Sequence, residues 1–408
     1  MAEEISFIHA ADLHLDSPFK GLANLPEHVL TDVRESTFAA LDRLVHVAIE
    51  RQVDFVLIAG DLFDNEHQTL KAQIRLRNAF TALAKQNISV YMLYGNHDHI
   101  NGNKHPVTYP VNVHIFPDEI VRNFVHYKDG KPLAAIYGFS YEDRSVLDNK
   151  TSNYKRRESD IPFHIGMLHG SLASNTTHDV YAPFQISELL ETGMDYWALG
   201  HIHQRDVLKS APAIVYSGNT QGRSRKETGD KGCYHVKMSA AGVELSFLPL
   251  QAVTFKKVAV DASTCEDVFA LEQHLQQTLK TAQSQTNALF HIQLTSDTTN
   301  LEQWDQEGRI EELIDLMNEA GGFATPWQYI YDYEISSLPS YDELYEGAHF
   351  SGEVLRQLDT LSIPPQLTDL YHHRRARRFL EPLDSDAESD IKEKAKQWLM
   401  HELLGGRT

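Results

Sequence analysis

The chain has 408 residues, of which 42% are hydrophobic and 23% charged, and its formal net charge is −20 at neutral pH. This composition is that of a folded globular protein and excludes a disordered chain. The length exceeds one ordinary hydrophobic core and predicts two or three domains. No apolar run approaches the roughly 20 residues that span a bilayer, and the N-terminus has no basic segment before an apolar core, so we expect a cytoplasmic protein.

The acidic charge argues at face value against nucleic acid as a partner, because proteins that bind polyanions usually present a basic surface. Net charge does not locate the basic groups, however, and a metal site concentrates carboxylates by itself. The two cysteines, Cys233 and Cys265, match no metal or redox spacing. We expect them to be buried free thiols.

The first hundred residues read as alternating strands and helices. We predict a strand at 5–11, a helix at 35–52, a strand from Phe55, a helix at 69–85 and a strand at 89–94. The run from Phe55 to Ile58 shows no alternation of polar and apolar residues, which is typical of a parallel strand buried on both faces. This β-α-β-α-β order predicts a layered α/β domain.

Shorter strands are predicted up to residue 250, together with an exposed polar loop at 141–160. The strands lie near 113–116, 133–137, 163–168, 195–199, 213–216, 233–238 and 243–248. The last three of these strands would complete a second sheet packed on the first, so that residues 1–250 form one two-sheet α/β domain.

A smaller α/β unit is predicted at 251–338. Its elements are a strand at 254–260, a helix at 265–282, a strand at 288–295, a helix at 307–319 and a strand at 327–335. Residues 339–408 are predicted to be a helical segment that ends in an amphipathic helix at 391–404. That helix could dock on its own domain or on a partner.

Residues with metal-binding side chains follow five of the predicted strands. They are Asp12, His14, Asp61, Asn96, His169, His201 and His203. Because open α/β sheets place ligands at the carboxyl ends of their strands, one crevice could collect all of them. Carboxylate, imidazole and amide ligands together favour Mn²⁺, Fe²⁺ or Zn²⁺ over an all-oxygen Ca²⁺ or Mg²⁺ site. Two such ions, about 3.5–4 Å apart, would clamp a phosphate ester and lower the pKa of a bridging water.

These residues lie in five short motifs that occur in a fixed order. The motifs are Asp12-Leu-His14, Gly60-Asp61-Leu-Phe-Asp64, Gly95-Asn96-His97-Asp98, His169-Gly170 and Gly200-His201-Ile-His203. Each is weak alone, but the set resembles the calcineurin-like metallophosphoesterases. The stretch from Phe7 to Pro18, Phe-Ile-His-Ala-Ala-Asp-Leu-His-Leu-Asp-Ser-Pro, is similar to that of SbcD-type DNA exonucleases, and among these to the bacterial YhaO-like branch. The similarity covers residues 1 to about 250.

The resemblance implies two metal positions. One would use Asp12, His14, Asp61 and His203, and the other Asp61, Asn96, His169 and His201, with Asp61 as the bridge. His97 would orient or protonate the leaving oxygen, with Asp98 as its outer partner. Some relatives carry His at the position of Asp64, and we assign Asp64 no catalytic duty because a carboxylate cannot donate a proton in the same way at neutral pH.

The resemblance also implies a function. We expect a Mn²⁺-dependent exonuclease that hydrolyses phosphodiester bonds at DNA ends in DNA repair, with single-strand endonuclease activity in addition. The smaller α/β unit would be a capping domain that helps to hold DNA. The C-terminal helices would dock on a coiled-coil ATPase of the SbcC type, and the protein would be a homodimer.

Contacts to DNA are assigned to basic residues near the motifs. The candidates are Arg223, Arg225 and Lys226, and the basic group at 155–157 could also contact phosphates. The basic run at 374–378 could meet DNA, an acidic partner or only solvent. Two alternatives stay open. A phosphatase or cyclic-nucleotide phosphodiesterase could use the same site and is favoured by the acidic charge. A non-catalytic scaffold for the ATPase is disfavoured by the complete ligand set.

Overall fold

The computed structural model describes most of the chain. The described residues are 3–19, 21–22, 24–64, 68–102, 107–157, 160–174, 180–282, 285–296, 300–322, 324–337 and 350–373, with isolated positions between 383 and 399. The basic run at 374–378 lies outside them, as does most of the helix predicted at 391–404. Within these ranges, no helix is long and apolar enough to cross a membrane.

The first sheet carries the N-terminal strand at its centre. Its strands, numbered in chain order, are β1 (Glu4–Ala10), β2 (Phe55–Ala59), β3 (Ser89–Leu93), β4 (Val113–Ile115), β11 (Gly232–Ser239) and β12 (Gly242–Pro249). They are arranged in the order β12-β11-β1-β2-β3-β4, in which β1 to β4 run parallel and β11 is antiparallel to both β1 and β12. The prediction that β11 and β12 complete the second sheet is therefore wrong, because β11 pairs with β1 at the free edge of the first sheet. The crossover helices α1 (Glu27–Glu50) and α2 (Leu70–Ala84) pack on the outer face of this sheet.

The second sheet also has six strands. They are β5 (Arg122–Lys128), β6 (Lys131–Gly138), β7 (Phe163–His169), β8 (Tyr196–Gly200), β9 (Asp206–Ser210) and β10 (Ala213–Tyr216). The order is β5-β6-β7-β8-β10-β9, with parallel strands inside and an antiparallel strand at each edge. The short helix α3 (Ile186–Glu191) packs on its outer face through Leu189.

The two large sheets pack face to face. Phe55 and Leu57 of β2 contribute to the core between them, whereas Val56 and Ile58 face the helices α1 and α2. The prediction of a strand buried on both faces is therefore confirmed. The described part of the loop at 141–160 is irregular, as predicted, but the expectation that it is exposed is wrong for four of its side chains. Tyr141, Val146 and Tyr154 are buried because they pack on the outer face of the second sheet, and Thr151 is buried as well.

The third sheet has three parallel strands and its own helices. Its strands are β13 (Val253–Asp261), β14 (Asn287–Ser296) and β15 (Gln328–Ser337). The helices that cover it are α4 (Val268–Thr281), α5 (Asn300–Gln306) and α6 (Arg309–Gly321). Two further helices follow in the chain, α7 (Phe350–Thr360) and α8 (Thr368–His372). This confirms the smaller α/β unit, while the exact domain limits stay a prediction. The sheet contacts the N-terminal part of α1, where Trp327 Nε1 donates a hydrogen bond of 2.7 Å to Asp32. Both cysteines are buried free thiols, as expected.

Candidate metal centre

The candidate ligands lie at the carboxyl ends of the strands, where His169 is the last residue of β7 and the other six sit in the loops that follow. Four of them have a left-handed φ, which is 52° at Asp12, 43° at His14, 52° at Asp61 and 92° at His201. Residues other than glycine rarely adopt this region, and such strain is typical of functional sites. The loops hold each other in place, since Asp12 N donates to the Gly60 carbonyl at 3.0 Å and His14 N to the Asp61 carbonyl at 3.0 Å.

One group of candidate ligands contains Asp12, His14 and His203, whose ligand atoms all lie within 4.8 Å of one another. The Nε2 atoms of His14 and His203 face each other at 3.0 Å. Burial, together with the nearby positive charge of Arg223, lowers the pKa of His14 to about 3. His14 is therefore neutral at physiological pH. A neutral ring can offer its lone pair to a cation, so this group fits a divalent ion.

A second group contains Asn96, His169 and His201. Asn96 Oδ1 lies 3.0 Å from His169 Nε2 and 3.2 Å from His201 Nδ1. His169 Nδ1 lies 2.9 Å from the Ala59 carbonyl oxygen, which can only accept, so Nδ1 carries a proton and Nε2 faces the site. Burial opposes the charging of His169, but the charge of Asp61 outweighs it and raises the pKa to about 9. A cation would take the place of that second proton.

Asp61 lies between the two groups. Its Oδ2 atom is 3.7 Å from His14 Nε2 and 3.4 Å from His169 Nε2. Burial alone would raise the pKa of Asp61, but the positive charge and hydrogen bond of His169 hold it well below its usual range. An ionised carboxylate within reach of both groups is what a ligand shared by two ions requires. The donor set as a whole therefore fits a pair of divalent ions.

His97 and Asp98 lie beside this centre but do not pair with each other among the described contacts. The ring of His97 is edge-on to that of His14, with 5.0 Å between the centroids, and His97 Nδ1 lies 2.7 Å from the Asp64 carbonyl oxygen. The Asp98 carboxylate instead accepts backbone hydrogen bonds of 2.7 Å from Gly95 and from Leu62. Burial and the charge of Asp61 raise the pKa of Asp98 to about 7. The contacts of Asp98 thus join the loops after β2 and β3. Among the described contacts, His97 pairs with the Asp64 carbonyl oxygen and not with Asp98.

Two carboxylates on the outer side of the histidines were missed as site residues by sequence reasoning. Glu227 Oε1 lies 2.6 Å from His203 Nδ1, and Asp64 Oδ1 lies 3.3 Å from His14 Nδ1. A carboxylate that is hydrogen-bonded in this way, as Glu227 is to His203, orients an imidazole ligand and raises its basicity. Asp64 contributes its charge beside His14 but no hydrogen bond to Nδ1. Asp64 stands in a recognised motif and was assigned no catalytic duty, but its position beside His14 was not predicted. Glu227 stands in no motif, and only the folded loop brings it to His203.

The basic residues proposed for DNA contact lie in the loop between β10 and β11. Arg223 is partly buried and forms an ion pair with Asp64. Arg225 and Lys226 are exposed, and Arg225 Nη1 lies 4.0 Å from Asp332 of β15. The loop thus adjoins the metal centre at Arg223 and the third sheet at Arg225.

Comparisons with known proteins agree with this geometry. The family model of calcineurin-like phosphoesterases matches residues 5–205. The uncharacterized metallophosphoesterase YhaO of Bacillus subtilis is 39% identical, over 99% of this chain and 99% of its own length. The DNA double-strand break repair protein Mre11 of Thermoplasma acidophilum is 29% identical, over 54% of this chain and 61% of its own. A subunit of the nuclease SbcCD of Bacillus subtilis is 25% identical, over 54% of this chain and 63% of its own.

The full-length match to a metallophosphoesterase, the matched family model and the converging donor set lead to one assignment. This chain belongs to the calcineurin-like metallophosphoesterase family.

Proposed function

We propose that this protein is a DNA nuclease that uses two Mn²⁺ ions to hydrolyse phosphodiester bonds at DNA ends. Its role would be in DNA repair. The observation that carries the proposal is the position of Asp61, with one carboxylate oxygen within 3.7 Å of His14 Nε2 and 3.4 Å of His169 Nε2. The similarity to a double-strand break repair protein and to part of a nuclease supports DNA as the substrate. The proposal includes exonuclease action, an additional single-strand endonuclease activity, a homodimer and a coiled-coil ATPase partner of the SbcC type.

In this proposal the ions would neutralise charge on the phosphate and supply a hydroxide nucleophile at neutral pH. The chain's own residues hold and orient the reacting groups. Asp12, His14 and His203 would hold one ion, while Asn96, His169 and His201 would hold the other, and Asp61 would contact both.

His97 serves the leaving group. Its Nδ1 lies 2.7 Å from the Asp64 carbonyl oxygen, which fixes the ring and keeps a proton on Nδ1. Nε2 is then the ring nitrogen left for the substrate. A second proton taken up at Nε2 passes to the leaving oxygen, and the ring returns to its neutral form with the proton on Nδ1. Since His97 makes no ligand contact in this scheme, replacing it should stop cleavage without releasing the ions.

The rival function is hydrolysis of small phosphoesters at the same centre. The net charge of −20 favours it, because a strongly acidic surface repels a polyanion. The appended third sheet argues for the larger substrate, since hydrolysis of a small ester needs no such addition.

The test is cleavage of end-labelled linear duplex DNA in Mn²⁺, with a chromogenic phosphodiester assayed in parallel. His97→Ala is compared with His46→Ala, the same change at an exposed histidine on α1. We expect progressive shortening of the DNA by the wild type and by His46→Ala, and none by His97→Ala. If the protein hydrolyses the small ester but leaves the DNA uncut, even after the ATPase is added, the proposed nuclease activity would be contradicted. If neither substrate is hydrolysed, the remaining hypothesis is a non-catalytic scaffold for the ATPase.

A further inference from the structure

The outer nitrogens of one histidine pair each lie against a carboxylate. Glu227 Oε1 is 2.6 Å from His203 Nδ1, and Asp64 Oδ1 is 3.3 Å from His14 Nδ1. The Glu227 hydrogen bond keeps the proton on His203 Nδ1 and leaves its Nε2 lone pair for an ion. Asp64 faces His14 Nδ1 at ion-pair distance without a hydrogen bond, so its negative charge favours the same tautomer of His14 through electrostatics. The two Nε2 atoms converge at 3.0 Å, so the carboxylates direct both rings to one metal position.

Arg223 connects these two carboxylates. Its guanidinium pairs with Asp64, and Nη2 lies 3.7 Å from Glu227 Oε1. Its backbone N–H donates to Glu227 Oε2 at 2.7 Å, and Asn219 Nδ2 donates to the same oxygen at 2.8 Å. One residue of the β10–β11 loop thereby fixes a carboxylate of its own loop and one from the loop after β2.

The two carboxylates of Asp64 and Glu227 need a positive charge between them to be stable in this position. The side chains of Asp64 and Glu227 are only 12% and 15% exposed, and that of Arg223 is 17% exposed, so water screens their charges poorly. Without the guanidinium, the two carboxylates would repel each other beside the acidic centre. A planar guanidinium can donate to both at once, whereas a lysine ammonium is a single point charge.

The other half of the centre is braced differently. His169 Nδ1 lies 2.9 Å from the Ala59 carbonyl oxygen, which belongs to the backbone of β2. This contact does not involve Arg223. A change at Arg223 should therefore act on the two metal positions unequally.

We infer that Arg223 is a positioning residue for the metal site of His14 and His203, which it maintains by holding Asp64 and Glu227 against the outer nitrogens of these rings. The inference rests on the dimetal centre of the proposed function, but not on DNA as the substrate. It gives Asp64 a role through its contact with His14.

The test is titration of the full-length, metal-stripped protein with Mn²⁺ by calorimetry, without substrate. The wild type should bind two ions. Arg223→Met should bind one ion with wild-type affinity and the other about 10- to 100-fold more weakly. Arg223→Lys should recover part of the loss. Arg122→Met, the same change in an exposed Arg–Asp pair with Asp118, is the matched control and should bind both ions normally.

Glu227→Gln provides a second variant if Arg223→Met does not fold, as judged by circular dichroism. It should weaken the same ion, and the double variant should lose less than the sum of the two single losses. Wild-type affinity for both ions in Arg223→Met and Glu227→Gln, or an equal loss at both positions, would overturn the inference. Failure of the wild type to cut DNA while it binds two ions would instead contradict only the proposed substrate.

Discussion

At the scale of single residues, Gly95 leaves the space that two candidate ligands occupy. A Cβ at this position would lie 2.7 Å from His169 Nε2 and closer still to Asp61 Oδ1. Both atoms face the space proposed for ions, so they would have to move.

We therefore expect Gly95→Ala to fold but to bind Mn²⁺ at least about tenfold more weakly, since ligand geometry sets metal affinity. Calorimetric titration measures the affinity, and circular dichroism checks the fold. Normal binding of two ions by a folded variant would mean that Asp61 and His169 do not contact them.

His9 is a buried histidine outside the centre that links the two large sheets. Its Nδ1 lies 2.9 Å from the Tyr196 hydroxyl, and its Nε2 lies 3.2 Å from the Leu199 carbonyl oxygen. Burial outweighs the hydrogen bond to Leu199 and lowers the pKa of His9 from 6.5 to about 3. Between these two pH values the unfolded chain binds a proton that the folded protein does not. The contribution of neutral His9 to stability is thus complete above pH 6.5 and is lost as the pH falls towards 3.

We expect this residue to make the free energy of unfolding fall by about 2 kcal/mol between pH 7 and pH 5, at about 1.4 kcal/mol per unit below the unfolded pKa. His9→Gln cannot take up the proton and should lack this part of the pH dependence. Urea unfolding of both proteins at the two pH values, with chelator present throughout, measures the difference. Equal losses in both proteins would show that His9 is not neutral when folded.

At the scale of elements, the strand ends that carry the centre could be predicted, but the start of α1 could not. We predict the helix from residue 35, whereas it begins at Glu27. Phe38 and Leu41 face the first sheet, while Val29 and Val33 face the third, so the apolar stripe changes sides along the helix. The helical spacing of apolar residues on the face that contacts the first sheet therefore does not extend to the N-terminal turns of α1, and the predicted helix starts too late.

Four further elements were missed for related reasons. The edge strands β5 and β9 consist mainly of exposed and half-buried residues and show no apolar run. Helices α3 and α5 are only six and seven residues long. Arg223 and Glu227 were not recognised as partners of the metal centre, because their contacts depend on how two distant loops meet and not on spacing within a motif.

The double role of α1 predicts that the third sheet and the first are energetically coupled. Val33 is fully buried between α1 and the third sheet, in a cluster with Leu289 and Trp327. Val33→Ala should lower the free energy of unfolding by about 2 kcal/mol, from lost burial and the cavity left behind. Urea unfolding followed by tryptophan fluorescence and by circular dichroism should give one shifted transition. Unfolding of the third sheet in a separate step, with the rest unchanged, would contradict the coupling.

At the scale of the whole molecule, the charge restricts how DNA could bind. With a net charge of −20, most of the surface should repel DNA, and attraction should come from a few basic residues near the centre. Because the Arg223 guanidinium is already paired with Asp64 and Glu227, the phosphate contacts fall to Arg225 and Lys226. These two contacts should give a slope of about −1.8 when the logarithm of the binding constant is plotted against that of the salt concentration.

Lys226→Gln should reduce the size of this slope by about 0.9 and weaken binding equally for different DNA sequences. Fluorescence anisotropy with labelled DNA, in a His97→Ala background that prevents cleavage, measures it. Lys85→Gln, at an exposed lysine that follows α2, is the control and should leave the slope unchanged. An unchanged slope in Lys226→Gln would remove this residue from the DNA contact.

The central claim is that the strand-end residues hold two ions with Asp61 between them. The most direct measurement is anomalous diffraction at the manganese edge from crystals grown with Mn²⁺. The account predicts two peaks about 3.5–4 Å apart, one beside His14 and His203 and the other beside Asn96 and His169, with Asp61 contacting both. A single peak, or two peaks away from Asp61, would contradict it.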